Sequence, residues 1–298
     1  MIFFSIVTPT FNRSDELKRL YSSISKQTFK NFEWIICDGE SFDNTTEVVK
    51  SFSNISLNFI SQNNLGVNAA RNLGQKHVTG QFTIYIDSDD EFFDENTLQR
   101  IYDDILSLNS NEFAMISYDS SDSNFKNNSE SIVKIDNLYN WLCNKEMNER
   151  IIVVNSFYDN KWPRYNGYEG IKHYKLLEKS LCYYINRSER IYHQGASNQL
   201  SNIKSFFKNV NDGYHALNEI WNEYNSQILN QCHCIANHII VQKLFRALYL
   251  SDRKYFFTSA FNEYKYLNLK NKLLVILFSI YMILPLAFRK YILLKFKL

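Results

Sequence analysis

The chain is short of charge imbalance, of cysteine and of the residues that break regular structure. Lys+Arg 33 against Asp+Glu 31 leaves a formal charge of +2, so no bulk electrostatic pull toward nucleic acid is indicated. Its five cysteines (Cys37, Cys143, Cys182, Cys232, Cys234) are odd in number and scattered. That argues against a disulfide framework and for a reducing compartment. Three prolines and eight glycines in 298 residues leave a globular composition. The apolar start lacks a basic n-region and turns polar within ten positions; it reads as a buried first strand, not a signal peptide. The expected location is the cytoplasm.

What the chain has in quantity is aromatic surface, with 23 Phe and 20 Tyr, ample for a core. Its length suggests one large domain, or one domain plus an extension. Residues 3–8 read as a strand stopped by Pro9, which lacks the N–H a ladder needs. Ser14 reads as the N-cap of a helix with Asp15 and Glu16 in its first turn. A second strand spans 32–37, and Asn44 with Glu47 reads as a capping pair opening the next helix. A strand at 57–61, a helix after Gly66 and a strand at 81–86 follow. Strand and helix alternating with short linkers predict an α/β fold, a mostly parallel sheet with helices on both faces. The right-handed crossover rule then lines up the polar segments after each strand along one edge. Further on, a helix is expected at 94–108, a strand at 113–118, a loop or lid at 120–130, and a helix at about 169–180. Strand or turn follows at 191–195, then helical periodicity at 214–265.

The strand at 81–86 ends in Asp87-Ser88-Asp89-Asp90. Clustered carboxylates repel one another unless a cation sits among them, and Mg²⁺ takes one or two carboxylates with substrate phosphates completing its shell. Strand ends are also where open α/β sheets bind ligands. A metal–diphosphate site is the hypothesis, weighed against a solvated acidic turn.

Four further stretches change that weighing. Ser5-Ile6-Val7-Thr8-Pro9-Thr10-Phe11-Asn12-Arg13, Gln27-Thr28-Phe29, and Phe32-Glu33-Trp34-Ile35-Ile36-Cys37-Asp38-Gly39-Glu40-Ser41-Phe42-Asp43-Asn44-Thr45 closely resemble the start of family 2 glycosyltransferases. So does Gly66-Val67-Asn68-Ala69-Ala70-Arg71-Asn72-Leu73-Gly74, leading through Thr79-Gly80 to the aspartates. These stretches cover about the first third of the chain in the family's order, and ordered context is what gives short motifs weight. The resemblance implies a GT-A fold, Rossmann-like, with a nucleotide-sugar donor and a divalent metal, Mn²⁺ or Mg²⁺. By similarity, Thr8, Pro9, Thr10 and Asn12 would line the nucleotide pocket and Asp38 would face the base or ribose. Arg71 would approach the diphosphate and Asp89 would ligate the metal. Asp87 would lie near ribose or metal, with Ser88 between them and Asp90 beside them. The family often carries two acidic residues where this chain has Asp38-Gly39, and a glycine where it has Glu40.

Inverting sugar transfer needs a carboxylate to take the acceptor's proton. In the family it comes from the second half, near a helix start. The best match is Glu169, in Tyr168-Glu169-Gly170 behind the aromatic Trp162-Pro163 segment, where relatives often carry Glu-Asp; Glu178 and Glu189 are the fallbacks. His193 is weighed as a contact to diphosphate or acceptor against a plain structural histidine. Cys232-His233-Cys234 with His238 does not fit the usual zinc spacings.

Residues 273–288 run sixteen positions without a formal charge, broken by Pro285 and flanked by Lys270, Lys272, Arg289, Lys290, Lys295 and Lys297. A spanning helix needs about 20 apolar residues; basic flanks fit a segment lying among anionic headgroups, against a buried C-terminal helix. The expected organisation is a catalytic domain at 1–210, with its nucleotide-sugar half at 1–118 and its acceptor half at 119–210. A helical C-terminal extension at 211–298 follows, with 273–298 on the inner face of the plasma membrane. The expected activity moves a hexose or N-acetylhexosamine from a nucleotide diphosphate sugar, uridine-linked, to a lipid-linked glycan of bacterial surface polysaccharide. The alternative is an inactive GT-A-like binding protein. A nucleotidyltransferase is disfavoured for want of a Gly-rich phosphate loop, and a processive synthase for want of long membrane spans.

Overall fold

The structure, a computed structural model, describes residues 1–108, 113–121, 131–135, 150–193, 209–231, 233–250 and 252–283. By contact the chain divides into two units, Met1–Gln199 and Leu200–Leu298; the expected boundary was at 210.

The first unit is built on one sheet. Its elements in order are β1 (Phe4–Thr10), α1 (Ser14–Ser25), β2 (Phe32–Asp38), α2 (Thr45–Lys50), β3 (Leu57–Ser61), α3 (Val67–Gln75) and β4 (Phe82–Tyr85). Then come β5 (Glu91–Phe92), α4 (Thr97–Ser107), β6 (Phe113–Ser121), β7 (Ile132–Ile135), β8 (Arg150–Asn155), α5 (Gly170–Leu177) and β9 (Leu181–Ile191). The strands are ordered β3-β2-β1-β4-β8-β6-β9-β5, with β7 paired to β9. β3, β2, β1 and β4 run parallel. β8 enters antiparallel between β4 and β6, so the sheet is mixed beyond its parallel half. Because β1, β2 and β4 all run the same way, Thr10, Asp38 and Asp87 emerge along one edge, as the crossover rule requires.

Both faces of the sheet are buried. Phe4, Ile6, Trp34 and Ile36 pack with Leu17, Leu20 and Ile24 of α1 and Leu98, Ile101 and Ile105 of α4 in one core. Val7 and Cys37 face α3 instead, and here a glycine is required by space. A Cβ on Gly74 would stand 2.6 Å from Val7 Cγ1 and 2.8 Å from Cys37 Sγ. Close approach of α3 to the sheet positions everything that helix carries.

Two expected caps are replaced by one residue outside both patterns. Neither α1 nor α2 has a side-chain cap from its own N-cap residue, so Ser14 and Asn44 do not act as read. Asp43 does the work of both: its carboxylate accepts from Ser14 N at 3.2 Å and from Thr45 N at 3.0 Å. Burial pushes its carboxyl up, but bonds from Thr45 and Ser14 outweigh this and hold it below the usual range. The physical reason is chain geometry: the two helix starts face each other, and one carboxylate reaches both sets of orphan N–H groups.

β9 begins ten residues earlier than the strand or turn expected at 191, since it starts at Leu181; Gln194 and Gly195 lie outside the described residues. Its polar middle masked it in the sequence. Glu189 is fully buried there, accepting from Arg100 Nη2 at 2.6 Å and Arg187 Nε at 2.5 Å. That pairing removes Glu189 as a fallback base: it is a structural counter-ion.

The second unit comprises α6 (Val210–Gln231), α7 (His233–Tyr249), α8 (Arg253–Glu263), a 3₁₀ turn (Tyr264–Tyr266) and α9 (Leu269–Ile283). A buried ion pair, Lys243–Glu263, joins α7 to α8. Arg253 donates to the carbonyls of Met282 and Ile283, tying α8 to α9. Cys234 is exposed, Cys232 and much of the expected loop at 120–130 lie outside the described residues, and no described group of three or more His, Cys, Asp or Glu could hold a metal. No described helix is long and apolar enough to cross a membrane.

Candidate active site

The site starts from Arg71, one turn into α3 and nearly buried. Its Nη2 donates to Asp87 Oδ1 at 2.6 Å, and its Nη1 to Glu169 Oε1 at 3.2 Å and Asn68 Oδ1 at 3.0 Å. The guanidinium lies over the Trp162 ring, 4.5 Å from its centroid. One arginine therefore joins the D-x-D turn to the candidate base. Burial pulls Arg71 down, but Asp87 and Glu169 outweigh it and raise it further.

Asparagines one turn apart on the same helix complete this join. Asn68 donates from its backbone to Asn166 Oδ1 at 3.2 Å and from Nδ2 to the Tyr165 carbonyl at 2.9 Å. Asn72 Nδ2 donates to the Trp162 carbonyl at 3.1 Å, and its Oδ1 accepts from Trp162 N at 2.7 Å. The stretch that leads into Glu169 is thus sewn to α3. Below it, Lys172 is fully buried, paired with Asp159 and set against the rings of Tyr85 and Trp162. Burial pulls the Lys172 ammonium down to about 8, against the pull of Asp159.

Glu169 closes the loop before α5. Its Oε1 also accepts from Gly167 N at 3.3 Å, while Oε2 takes no hydrogen bond from any described residue. The carboxylate is held at one oxygen and open at the other.

The aspartates show the same division. Asp87 is half-exposed, with Oδ1 on Arg71 and Oδ2 without a described partner. Burial pushes its carboxyl up, but Arg71, then Arg190 and Arg13, bring it below the usual range. Asp89 Oδ2 stands 3.2 Å from Arg13 Nη1, Oδ1 takes no hydrogen bond from another described residue, and the backbone carbonyl accepts from Arg19 Nη2 at 2.5 Å. Burial and the neighbouring charge of Asp87 raise the Asp89 carboxyl. Two hard carboxylates with one open oxygen each, and repulsion that a cation would relieve, fit Mg²⁺ or Mn²⁺. Asp90 does not join them. It is buried, with Oδ2 on Arg190 Nη1 at 2.9 Å and Oδ1 on His193 N at 3.4 Å. Burial pushes its carboxyl up to about 7. His193 lies beside it, bonded through Nε2 to Glu91 Oε1 at 2.7 Å.

The remaining expected residues surround the ends of β1 and β2. Thr8 serves the core: its hydroxyl is fully buried and accepts from Trp34 Nε1 at 2.9 Å. Pro9 is buried beside it. The Thr10 hydroxyl is buried and lacks a partner among the described residues, an orphan at the strand end that a ligand would satisfy. Asp38 is buried and accepts from Ser41 through both oxygens, at 2.9 and 2.5 Å. Asn12 bonds the same turn, donating to Ser41 Oγ at 2.7 Å and accepting from Phe42 N at 3.0 Å. Ser88 is buried between the two aspartates.

Both loops use left-handed backbone, with φ of 52° at Asn12 and 55° at Glu40. Asparagine tolerates this; glutamate does not, which is why glycine suits position 40. Glu40→Gly is expected to stabilise the protein by about 0.5–1 kcal/mol, raising Tm by about 1–3 °C. Chemical denaturation checks it, and a fall in stability would mean that the Asn63 amide, facing Glu40, matters more than the strain.

Arg13, Arg19, Asn68, Asn72, Lys172 and Arg190 are not among the site residues the sequence points to, whereas Trp162 belongs to the aromatic segment it places before Glu169. Asn68 and Asn72 carried a usable signal, lying on one helix face with Arg71. The others did not, because their partners are distant in sequence.

The family profile described as glycosyl transferase family 2 matches residues 5–185. The structure resembles Staphylococcus aureus TarS 1–349 in complex with UDP-GlcNAc, with a TM-score of 0.62 at 16% identity over 87% of this chain and 89% of that one. It also resembles the mannosyltransferase PcManGT of Pyrobaculum calidifontis, in complex with GDP-Man and Mn²⁺, with a TM-score of 0.58 at 13% identity over 83% and 74%. The fold is therefore GT-A. The chain belongs to glycosyltransferase family 2. Among sequence relatives, WfgD of Escherichia coli, a UDP-Glc:α-D-GlcNAc-diphosphoundecaprenol β-1,3-glucosyltransferase, is 36% identical over 29% of this chain and 34% of its own length. The glycosyltransferase GlyA of Streptococcus pneumoniae is 31% identical over 34% of this chain and 15% of its own length. The chain thus spans about a third or less of these relatives.

Proposed function

We propose that this chain is an inverting transferase that moves a hexose or N-acetylhexosamine from a UDP-sugar to a lipid-linked glycan of bacterial surface polysaccharide, O-antigen or capsule. The observation that carries this is Arg71 holding Asp87 and Glu169 together, with one oxygen of each carboxylate left open. Glu169 Oε2 takes the proton of the acceptor hydroxyl. The acceptor's hydroxyl oxygen bonds to the anomeric carbon as the bond from that carbon to the diphosphate breaks on the opposite side, which inverts the centre. Asp87 and Asp89 would hold the divalent cation, whose chemistry is to neutralise charge on the departing diphosphate. Arg71 holds Glu169 through Oε1, which leaves Oε2 for the acceptor proton. Thr10, Asp38 and Asn12 make the floor where a nucleoside would rest.

Uridine is favoured because WfgD and the TarS complex carry UDP-sugars in their names. UDP with Mn²⁺ at 100 times its dissociation constant should stabilise the protein by about 2.7 kcal/mol, in a thermal shift that disappears with EDTA. GDP, CMP and TDP should give less. A shift that survives EDTA would remove the metal from this reading, and no shift with any nucleotide would favour the inactive binding protein.

The lipid-linked acceptor places the enzyme at the inner face of the plasma membrane, and α9 suits that contact. Its outward positions Leu273, Ile276, Leu277, Ile280 and Ile283 are all apolar and exposed. From Tyr264 to the C-terminus there is no acidic residue, against Lys265, Lys270, Lys272, Arg289, Lys290, Lys295 and Lys297. That pattern fits an anionic interface, the residues beyond 283 lying outside the described structure. Replacing Leu273 and Leu277 with Gln is expected to weaken binding to anionic vesicles by roughly fiftyfold. Co-sedimentation checks this; equal binding by the double variant would remove α9 from the contact.

A further inference from the structure

The two candidate metal carboxylates have counter-ions of different kinds. Arg71 is anchored by Asp87, Glu169, Asn68 and the Trp162 ring. Arg13 is held by a single atom: Nη1 stands 3.2 Å from Asp89 Oδ2 and 3.3 Å from Glu16 Oε1. Its backbone is fixed, donating to Thr45 Oγ1 at 3.2 Å and accepting from Leu17 N at 2.9 Å. The backbone of Asp89 is fixed too, by Arg19. What the fold leaves adjustable is the guanidinium, which touches two carboxylates and is tied to neither by a fork of two bonds.

We propose that Arg13 is a built-in competitor of the divalent cation for Asp89, with Glu16 as the seat that retains it when the cation binds. This rests on the metal reading of Asp87 and Asp89. Before the donor arrives, Arg13 keeps a nearly buried carboxylate paired, which an isolated charge in that position requires. It also opposes a bare cation by like-charge repulsion. The diphosphate brings the negative charge that offsets this repulsion, so cation and nucleotide bind best together. By linkage, each then strengthens the other by the same factor.

The test measures Mn²⁺ binding directly, by loss of the free-ion electron paramagnetic resonance signal, with and without UDP and without turnover. In the wild-type protein Mn²⁺ should bind weakly alone and more tightly with UDP. Arg13→Gln should tighten binding of Mn²⁺ alone by about fivefold, since it removes a charge near the site that solvent only partly screens. It should also narrow the gap between the two conditions. Arg13→Lys keeps the charge and should leave Mn²⁺ binding weak. Glu16→Gln should weaken Mn²⁺ binding, because Arg13 then has only Asp89. A merely structural role would weaken binding in Arg13→Gln and Glu16→Gln alike, so opposite signs carry the proposal. Unchanged or weaker Mn²⁺ binding in a folded Arg13→Gln protein would overturn it while leaving the metal site standing. A wild-type protein that binds no Mn²⁺ in either condition would overturn the metal site and this proposal together.

Discussion

Glu169→Gln is expected to lower sugar transfer by about 10³-fold, within the range of a general base, with nucleotide affinity changed by less than about twofold. The substitution is chosen because the amide oxygen can still accept from Arg71 Nη1 and Gly167 N, the two bonds that hold Oε1. Geometry is kept and basicity is lost. A binding role would instead raise KM with turnover intact. Steady-state kinetics with donor and acceptor varied in turn separates the two. Turnover within tenfold of the wild type would remove Glu169 as the base, and with Glu189 buried between two arginines the search would pass to Glu178, exposed at the end of α5.

Arg71→Ala should be the most damaging change in the first unit. It leaves Asp87 and Glu169 without their shared cation, frees Asn68 Oδ1 and uncovers the face of Trp162. Breaking such a pair by removing one partner costs about 3–5 kcal/mol when both are buried. Here both carboxylates are partly exposed, so about 2–3 kcal/mol is expected. Transfer should fall by at least about 10²-fold even where the protein folds, since positioning of the acceptor stretch and of the aspartates fails together. Arg71→Lys distinguishes charge from shape. A single ammonium cannot span both carboxylates as the planar fork does, so stability should return further than turnover. Equal recovery of both would mean that only the charge matters. Urea unfolding beside single-turnover assays reads the difference.

The parallel half of the sheet was legible because its strands are short apolar runs, two of them giving way to Asp38 and Asp87, and because burial of both faces makes such runs nearly continuous. Pro9 does not stop the first strand as its missing N–H suggests: β1 runs on to Thr10, since Pro9 lies beyond the last pair with β4, Val7 with Tyr85, and stays paired with β2. Once that half was ordered, the convergence of Thr10, Asp38 and the aspartates followed from chain handedness alone. The second half resisted the same reading. β8 joins the sheet antiparallel, and β9 carries Arg187, Glu189 and Arg190 in its interior, which looks like a loop until Arg100 and Asp90 are placed beside them. Charges inside a strand are tolerable only when paired, and pairing partners eighty or more residues away leave no local periodicity.

By itself the sequence determined the α/β class, the D-x-D turn at a strand end, and the helix that carries Arg71. These are local matters: alternation, chain handedness and side chains spaced along one helix. Only the tertiary structure decided that Asp43 caps two helices, that Asp90 is spent on Arg190 while Asp87 and Asp89 keep an open oxygen, and that Glu169 meets Asp87 through one guanidinium. Each of those depends on which distant groups share a small buried volume. There a charge must find a partner, and the partner it finds decides which carboxylates are left for chemistry.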